Sequence, residues 1–233
     1  LNAELDTLRS LVFYHVTDGE QSLVHADRAL AHLPKSHMSE RGLAVILQCV
    51  AHQMIGDLES ARSVASRAAS DKTYCGTTVQ ARALLALCFA DYIAADLGSV
   101  LQIAPQCVEL GESIGLAETI AHGYYFQGVS HFDRDDLTHA ECNLWPVVKG
   151  PYIVNSHNFA FSALALALTY QALGRPQDAR DAVDGVVAHA VDTGNASLLQ
   201  TGQAFQAELA LRQGRLSEVA PWVEAFNPEP FTA

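Results

Sequence analysis

Gly174-Arg175-Pro176-Gln177-Asp178-Ala179 follows the apolar run Leu164-Ala165-Leu166-Ala167-Leu168-Thr169-Tyr170-Gln171-Ala172-Leu173, and together they read as a helix end, a tight turn and a new helix. Gly174 supplies the left-handed conformation that ends the first helix. Pro176 falls in the first turn of the second helix, where its missing N–H is not needed. Ala179, five residues past the glycine, is small. The arrangement returns as Gly56-Asp57-Leu58-Glu59-Ser60-Ala61 and Gly214-Arg215-Leu216-Ser217-Glu218-Val219, with weaker copies at Gly19 with Val24, Ala95 with Val100, and Asp135 with Ala140. The turn positions 19, 56, 95, 135, 174 and 214 are separated by 37, 39, 40, 39 and 40 residues. Such regularity signals an array of repeated helical hairpins.

Seven residues before each turn position stand Val12, Cys49, Cys88, Gly128, Ala167 and Ala207, all small. Small residues on both sides of the turn let two helix backbones approach closely, as the tetratricopeptide (TPR) pattern requires. The expected fold is all-α: a right-handed superhelical solenoid of six helix-turn-helix, TPR-like repeats of about 39 residues. One repeat domain is expected over residues 1–233, with repeats at about 1–36, 37–75, 76–115, 116–155, 156–194 and 195–233. Helix pairs are expected at 2–17/20–32, 38–55/57–70, 77–94/97–114, 116–132/136–148, 157–173/176–192 and 195–213/215–226. Pro105, Pro146 and Pro221 fall inside second helices, where kinks or early breaks are expected because an interior proline costs about 3 kcal/mol. Tyr152-Ile153-Val154, between Gly150-Pro151 and Asn155, is the one stretch that reads as extended.

Charge and composition narrow the function classes. The 233 residues carry 14 Lys plus Arg against 26 Asp plus Glu, a formal charge of −12, which repels phosphate and argues against nucleic-acid binding by this segment. With 49% hydrophobic and 17% charged residues the chain is expected to fold rather than stay disordered. The longest apolar run, Ala83 to Ala90, is far short of a bilayer span, so a soluble protein without a membrane role is expected. Five widely spaced cysteines (Cys49, Cys75, Cys88, Cys107 and Cys142) without a Cys-x-x-Cys fit a reducing cytoplasm better than a disulfide framework or zinc ribbon. The absence of an initiator Met and the end at Phe231-Thr232-Ala233, just after Pro228 and Pro230, read as a fragment of a longer protein.

Catalytic and cofactor motifs are missing. There is no phosphate loop, Gly-x-Gly-x-x-Gly, Gly-x-Ser-x-Gly or His-Glu-x-x-His, so neither enzyme activity nor a cofactor is expected in this segment. Asp133-Arg134-Asp135-Asp136 lacks the glycine and distal Glu of a calcium loop and reads as a turn whose aspartates cap the next helix. His25, His32 and His37 have no adjacent ligand set and read as surface histidines; no metal site is expected. Cys49 and Cys88 read as buried spacers, and Cys75, beside Gly76 in a loop, as the candidate reactive thiol, though nothing nearby activates it.

What remains is a surface. First helices of such hairpins line the concave side, and groove-facing residues fall thirteen, ten, six and three before each turn. That gives Asp6, Arg9, Phe13 and Val16 in the first repeat, and Arg82, Leu85, Phe89 and Tyr92 in the third. The fourth gives His122, Tyr125, Val129 and Phe132, and the fifth Phe161, Leu164, Leu168 and Gln171. Aromatic side chains backed by Arg9, Arg82 and His122 suit an organic anion, a sugar or a peptide. The candidate groove is therefore Arg9, Arg82, Phe89, Tyr92, His122, Tyr125, Phe132 and Phe161. The competing reading is that these aromatics pack against the neighbouring repeat.

The run from Leu164 to Pro176, and Ala204-Phe205-Gln206-Ala207-Glu208-Leu209-Ala210-Leu211-Arg212-Gln213-Gly214, resemble the repeat region of MalT-like transcriptional regulators, the large ATP-binding branch of the LuxR family. Arg134-Asp135-Asp136-Leu137 with Ala140-Glu141, and Trp222 after the last turn, add to the likeness. The resemblance implies a sensor region between a nucleotide-binding module and a C-terminal helix-turn-helix. It would receive a small-molecule inducer or a regulatory protein and pass the change to other domains of the parent regulator. A generic TPR scaffold that binds a peptide or protein partner without a transcription role is the alternative.

Overall fold

A computed structural model describes residues 2–150 and 156–225. Among them the secondary structure is α-helical throughout, with one 3-10 turn (Lys72–Tyr74) and no strand. The Tyr152-Ile153-Val154 stretch lies outside the described residues. The helices are α1 (Asn2–His15), α2 (Gly19–His32), α3 (Met38–Met54), α4 (Leu58–Ser70), α5 (Thr78–Ile93), α6 (Leu97–Ile114), α7 (Ala117–Asp133), α8 (Leu137–Val148), α9 (Ser156–Ala172), α10 (Pro176–Asp192), α11 (Ala196–Arg212) and α12 (Leu216–Ala225). None of them is long and apolar enough to cross a membrane.

The helices group into two compact units, residues 1–130 and 131–233. In the first, α1, α3 and α5 pair with α2, α4 and α6 as antiparallel hairpins. Successive hairpins meet through α2 on α3, α4 on α5, α1 on α3 and α3 on α5. In the second, α8 packs on α9, α9 on α10, α10 on α11, α11 on α12, and α9 on α11.

One hydrogen-bonded turn closes every hairpin. Gly56 sits in the left-handed region at φ 82°; its N–H donates to Gln53 O at 3.0 Å, and the Asp57 N–H donates to His52 O at 2.8 Å. This pair of bonds satisfies carbonyls that the end of α3 would otherwise leave bare. It recurs about Ala95, Asp135, Gly174 and Gly214. In the first hairpin the left-handed residue is Thr17, at φ 60°, whose N–H donates to Tyr14 O. Gly19, read above as the turn, is instead the first residue of α2. It is buried so tightly that a Cβ would lie 2.8 Å from Met54 Cβ.

The first repeat is thus two residues out of the register assigned from sequence, and the spacing from Thr17 to Gly56 becomes 56 − 17 = 39. Its small residues are Ser10 and Ser22, both fully buried, rather than Val12 and Val24, both exposed. Ser10 Oγ donates to Ser22 O at 2.9 Å and Ser22 Oγ to Ser10 O at 3.0 Å, so each hydroxyl satisfies the facing backbone carbonyl. At the matching places Cys49 with Ala61, Cys88 with Val100, Gly128 with Ala140, and Ala167 with Ala179 are buried. Cys49 and Cys88 are spacers as expected, and burial pushes the Cys49 thiol up to about 12.

After the left-handed residue, an aspartate caps the second helix. Asp18, Asp57, Asp96 and Asp136 accept hydrogen bonds from the backbone N–H of Gln21, Ser60, Ser99 and His139. The aspartates read as caps in the acidic turn are therefore represented by Asp136. Ala95 holds its left-handed conformation, φ 58°, without glycine's freedom. Ala95→Gly is expected to raise the unfolding free energy by about 0.5–1 kcal/mol, the relief of strain exceeding the entropy that glycine adds to the unfolded chain. Urea denaturation would check this; a lower midpoint would contradict it.

Of the two outcomes expected at the interior prolines, an early break does not occur at Pro105. α6 runs unbroken through it from Leu97 to Ile114. Val100, Ala104, Cys107 and Gly111 form one buried face, and their burial offsets the lost backbone bond. α8 ends at Val148, two residues after Pro146. α12 runs from Leu216 to Ala225, across position 221.

Candidate functional site

Unit one brings together four of the residues assigned to the groove. Phe89 and Tyr92 on α5, with His122 and Tyr125 on α7, are each partly buried and surround Phe126, which is almost fully buried. Phe89 meets Phe126 edge to face at 4.7 Å between ring centroids and 84°. Tyr125 lies 5.3 Å and Tyr92 5.8 Å from the same ring. The His122 ring is 5.8 Å from Phe89. Edge-to-face contacts of this kind are worth about 0.5–1.5 kcal/mol each beyond area burial and gather the rings into one aromatic surface.

The backbone makes that proximity possible. Gly123 faces α6, where a Cβ would lie 2.9 Å from Ala104 O and 2.7 Å from Val108 Cγ2. A residue with a side chain there would push α7 away. Phe126, the centre of the cluster, is not among the groove positions assigned from sequence, because it falls between the counted places. The consecutive aromatics Tyr124-Tyr125-Phe126 are the available signal.

Two of the three cations placed in the groove change role. Arg9 was counted from Gly19; from Thr17 the corresponding positions are Glu4, Thr7, Leu11 and Tyr14, so Arg9 lies off that face. It is exposed and pairs with Asp6 at 3.4 Å. His122 donates from Nδ1 to Glu118 O at 2.8 Å, and burial holds its pKa below the ordinary histidine value, so it is neutral near pH 7. Arg82 remains on its counted face, and its Nη1 donates to Ser39 O at 2.9 Å, tying α5 to the start of α3. The face is accordingly aromatic first and cationic only at its edge.

The other two assigned residues, Phe132 and Phe161, belong to unit two. Phe132 is partly buried near the end of α7. Phe161 is 50% exposed on α9, with its ring 6.2 Å from that of His157.

Several histidines are better partnered than their spacing indicated. His25 lies 2.8 Å from Asp6 Oδ1 and stacks on Phe13, and His37 Nδ1 is 3.4 Å from Glu4. α1 supplies these carboxylates from a distant part of the sequence, one to each histidine. His189 is buried in unit two, its Nε2 3.0 Å from Ser156 Oγ and its ring against Phe159. Unit two also holds an open depression of about 520 Å³ lined by Arg180, Asp184, Gln206, Arg215, Glu218 and Trp222. Sequence counting did not find it, since its walls come from α10, α11 and α12 away from the counted face.

Solved structures share this architecture. The chain is similar to BtubC (BKLC) from P. vanneervenii, with a TM-score of 0.67 at 12% identity over 92% of this chain and 93% of that one. It is also similar to a Podosopora anserina protein of nearly identical TPR-like repeats, named after kinesin light chain. The TM-score is 0.63 at 17% identity, covering 81% of this chain and 93% of that one. A single-residue variant of that protein gives 0.64 at 16%, covering 79% and 92%. No family model matches the chain, and no curated protein matches it. The fold is that of a TPR-like helical repeat.

Proposed function

We propose that this chain is a binding module rather than an enzyme, and that it takes a partner on the aromatic face formed by Phe89, Tyr92, His122 and Tyr125. The carrying observation is the packed aromatic cluster around Phe126, built from residues of two successive first helices. With His122 neutral and Arg9 off the face, the chemistry favours an apolar or aromatic peptide segment over a small organic anion. On the resemblance of residues 164–176 and 204–214, we assign the module as the signal-receiving repeat region of a cytoplasmic MalT-like regulator of the LuxR family. A regulatory protein is then its partner.

Peptide display against the purified chain tests the site. Selected peptides are expected to share an aromatic or large apolar anchor. They should lose binding at least tenfold, about 1.4 kcal/mol, to Arg82→Ala/Tyr125→Ala. Binders indifferent to that variant would overturn the placement. If a sugar or other metabolite instead raises the thermal midpoint in the wild type and not in the variant, the occupant is a small-molecule inducer. A LuxR-type helix-turn-helix encoded after Ala233 would support the regulator assignment, and the lack of one would favour the generic scaffold.

A further inference from the structure

We infer that the α7–α8 turn binds one divalent transition-metal ion of the zinc class through His131, Asp136 and His139. The three residues reach one point from three places in the local fold. His131 stands in the last turn of α7, four residues before the left-handed Asp135; Asp136 caps α8; His139 follows in its first turn. His139 Nδ1 lies 2.8 Å from both Asp136 carboxylate oxygens, and His131 Nδ1 lies 3.2 Å from Asp136 Oδ2. The two imidazoles are 5.1 Å apart at 26°, and one donor atom from each residue falls within a 4.8 Å span.

Two imidazole nitrogens and one carboxylate oxygen suit zinc and its first-row neighbours, whereas calcium and magnesium require an oxygen shell. Tetrahedral bonds of about 2.0–2.2 Å hold donors roughly 3.3–3.6 Å apart, so the carboxylate–imidazole pairs would open slightly and any wider separation would close, by side-chain rotation at the exposed His139. Asp136 keeps its cap through Oδ1, which accepts from the His139 N–H, and offers Oδ2 to the ion. Three protein ligands leave a fourth position open to water or to a ligand atom of a partner.

Comparison among the repeats separates this arrangement from ordinary turn chemistry. At the corresponding positions the second repeat has His52, Asp57 and Ser60, and the third has Asp91, Asp96 and Ser99. His52 Nδ1 lies 3.6 Å from Asp57, and Ser99 Oγ donates to Asp96 at 2.8 Å. The cap needs only the aspartate. A second imidazole is present in the fourth repeat, where it completes a ligand set that capping does not require.

Zinc titration of the EDTA-treated chain by calorimetry near neutral pH tests the proposal. A Cys75→Ser/Cys142→Ser background removes the exposed thiols as competing ligands. One zinc ion per chain is expected, with perturbation of the His131 and His139 ring signals in NMR spectra. His139→Ser, which gives the fourth repeat the residues of the second, should weaken binding tenfold or more, and His131→Gln likewise. Both variants should keep the metal-free thermal midpoint of their parent, since the cap is intact. No saturable uptake by the parent, or uptake unchanged in both variants, would overturn the site.

Discussion

Phe126→Ala is expected to cost about 3–5 kcal/mol of stability and to abolish peptide binding at the aromatic face. The side chain is among the largest that are fully buried, and three aromatic rings pack on it edge to face. Its removal forfeits transfer energy and leaves a cavity that the neighbouring backbone cannot close, because Gly123 already brings α7 into contact with α6. Phe89, Tyr92 and Tyr125 would then lose the ring that orients them. Phe126→Leu separates the two effects: it fills most of the space, so stability should fall by less while binding still weakens. Chemical denaturation and a binding isotherm measure both; a Phe126→Ala protein with unchanged midpoint and affinity would sink the idea that this ring organises the face.

The second large effect is electrostatic. Asp91 is buried in α5, with Arg62 Nε of α4 3.0 Å from its Oδ1 and Arg62 Nη2 3.6 Å from Asp96. Burial pushes the Asp91 carboxyl above the ordinary carboxylate range, the Arg62 charge pulls it back, and Asp96 adds to the upward push. Arg62→Ala leaves a buried carboxylate without its counter-charge. The expected loss is about 2–3 kcal/mol at pH 7, below the full figure for a buried pair because Arg62 itself is half exposed.

The sign with pH follows from proton binding. A carboxyl with a raised folded pKa binds protons more readily in the folded chain, so its contribution to stability falls as pH rises through that pKa. The Arg62→Ala deficit should therefore be greatest at neutral pH and shrink as pH drops through the raised Asp91 pKa toward the unfolded carboxylate value. Asp91→Asn added to Arg62→Ala should remove that pH dependence. A deficit that grows on acidification would contradict the assignment.

Much of the fold is written in the turns. Gly56, Gly174 and Gly214 mark left-handed residues, and small partners on either side fix which helix faces touch. The first repeat is displaced because Gly19 looks like a turn residue, whereas Thr17, β-branched, does not advertise a positive φ. The better markers are Asp18, which aligns with Asp57, Asp96 and Asp136 as a cap, and the serines at 10 and 22. The groove is legible only as helix faces. Counting places Phe89, Tyr92, His122 and Tyr125 on them, but no pattern in one sequence tells that Phe126 sits beneath, or that burial lowers the pKa of His122. His131, Asp136 and His139 escape notice because the aspartate already has a sufficient explanation as a cap.

The close approach of α6 and α7 has a mechanical side. A Cβ on Gly111 would lie 2.7 Å from Ile120 Cγ1, and one on Gly123 would meet Ala104 O and Val108. At these points helix backbone meets its neighbour with no glycine side chain available to change rotamer and absorb movement. Packed interiors transmit strain rather than cushion it. A tilt of α7 would therefore be passed to α6 at these points, like one gear tooth moving the next. The glycines thus couple the aromatic face mechanically to the helix behind it.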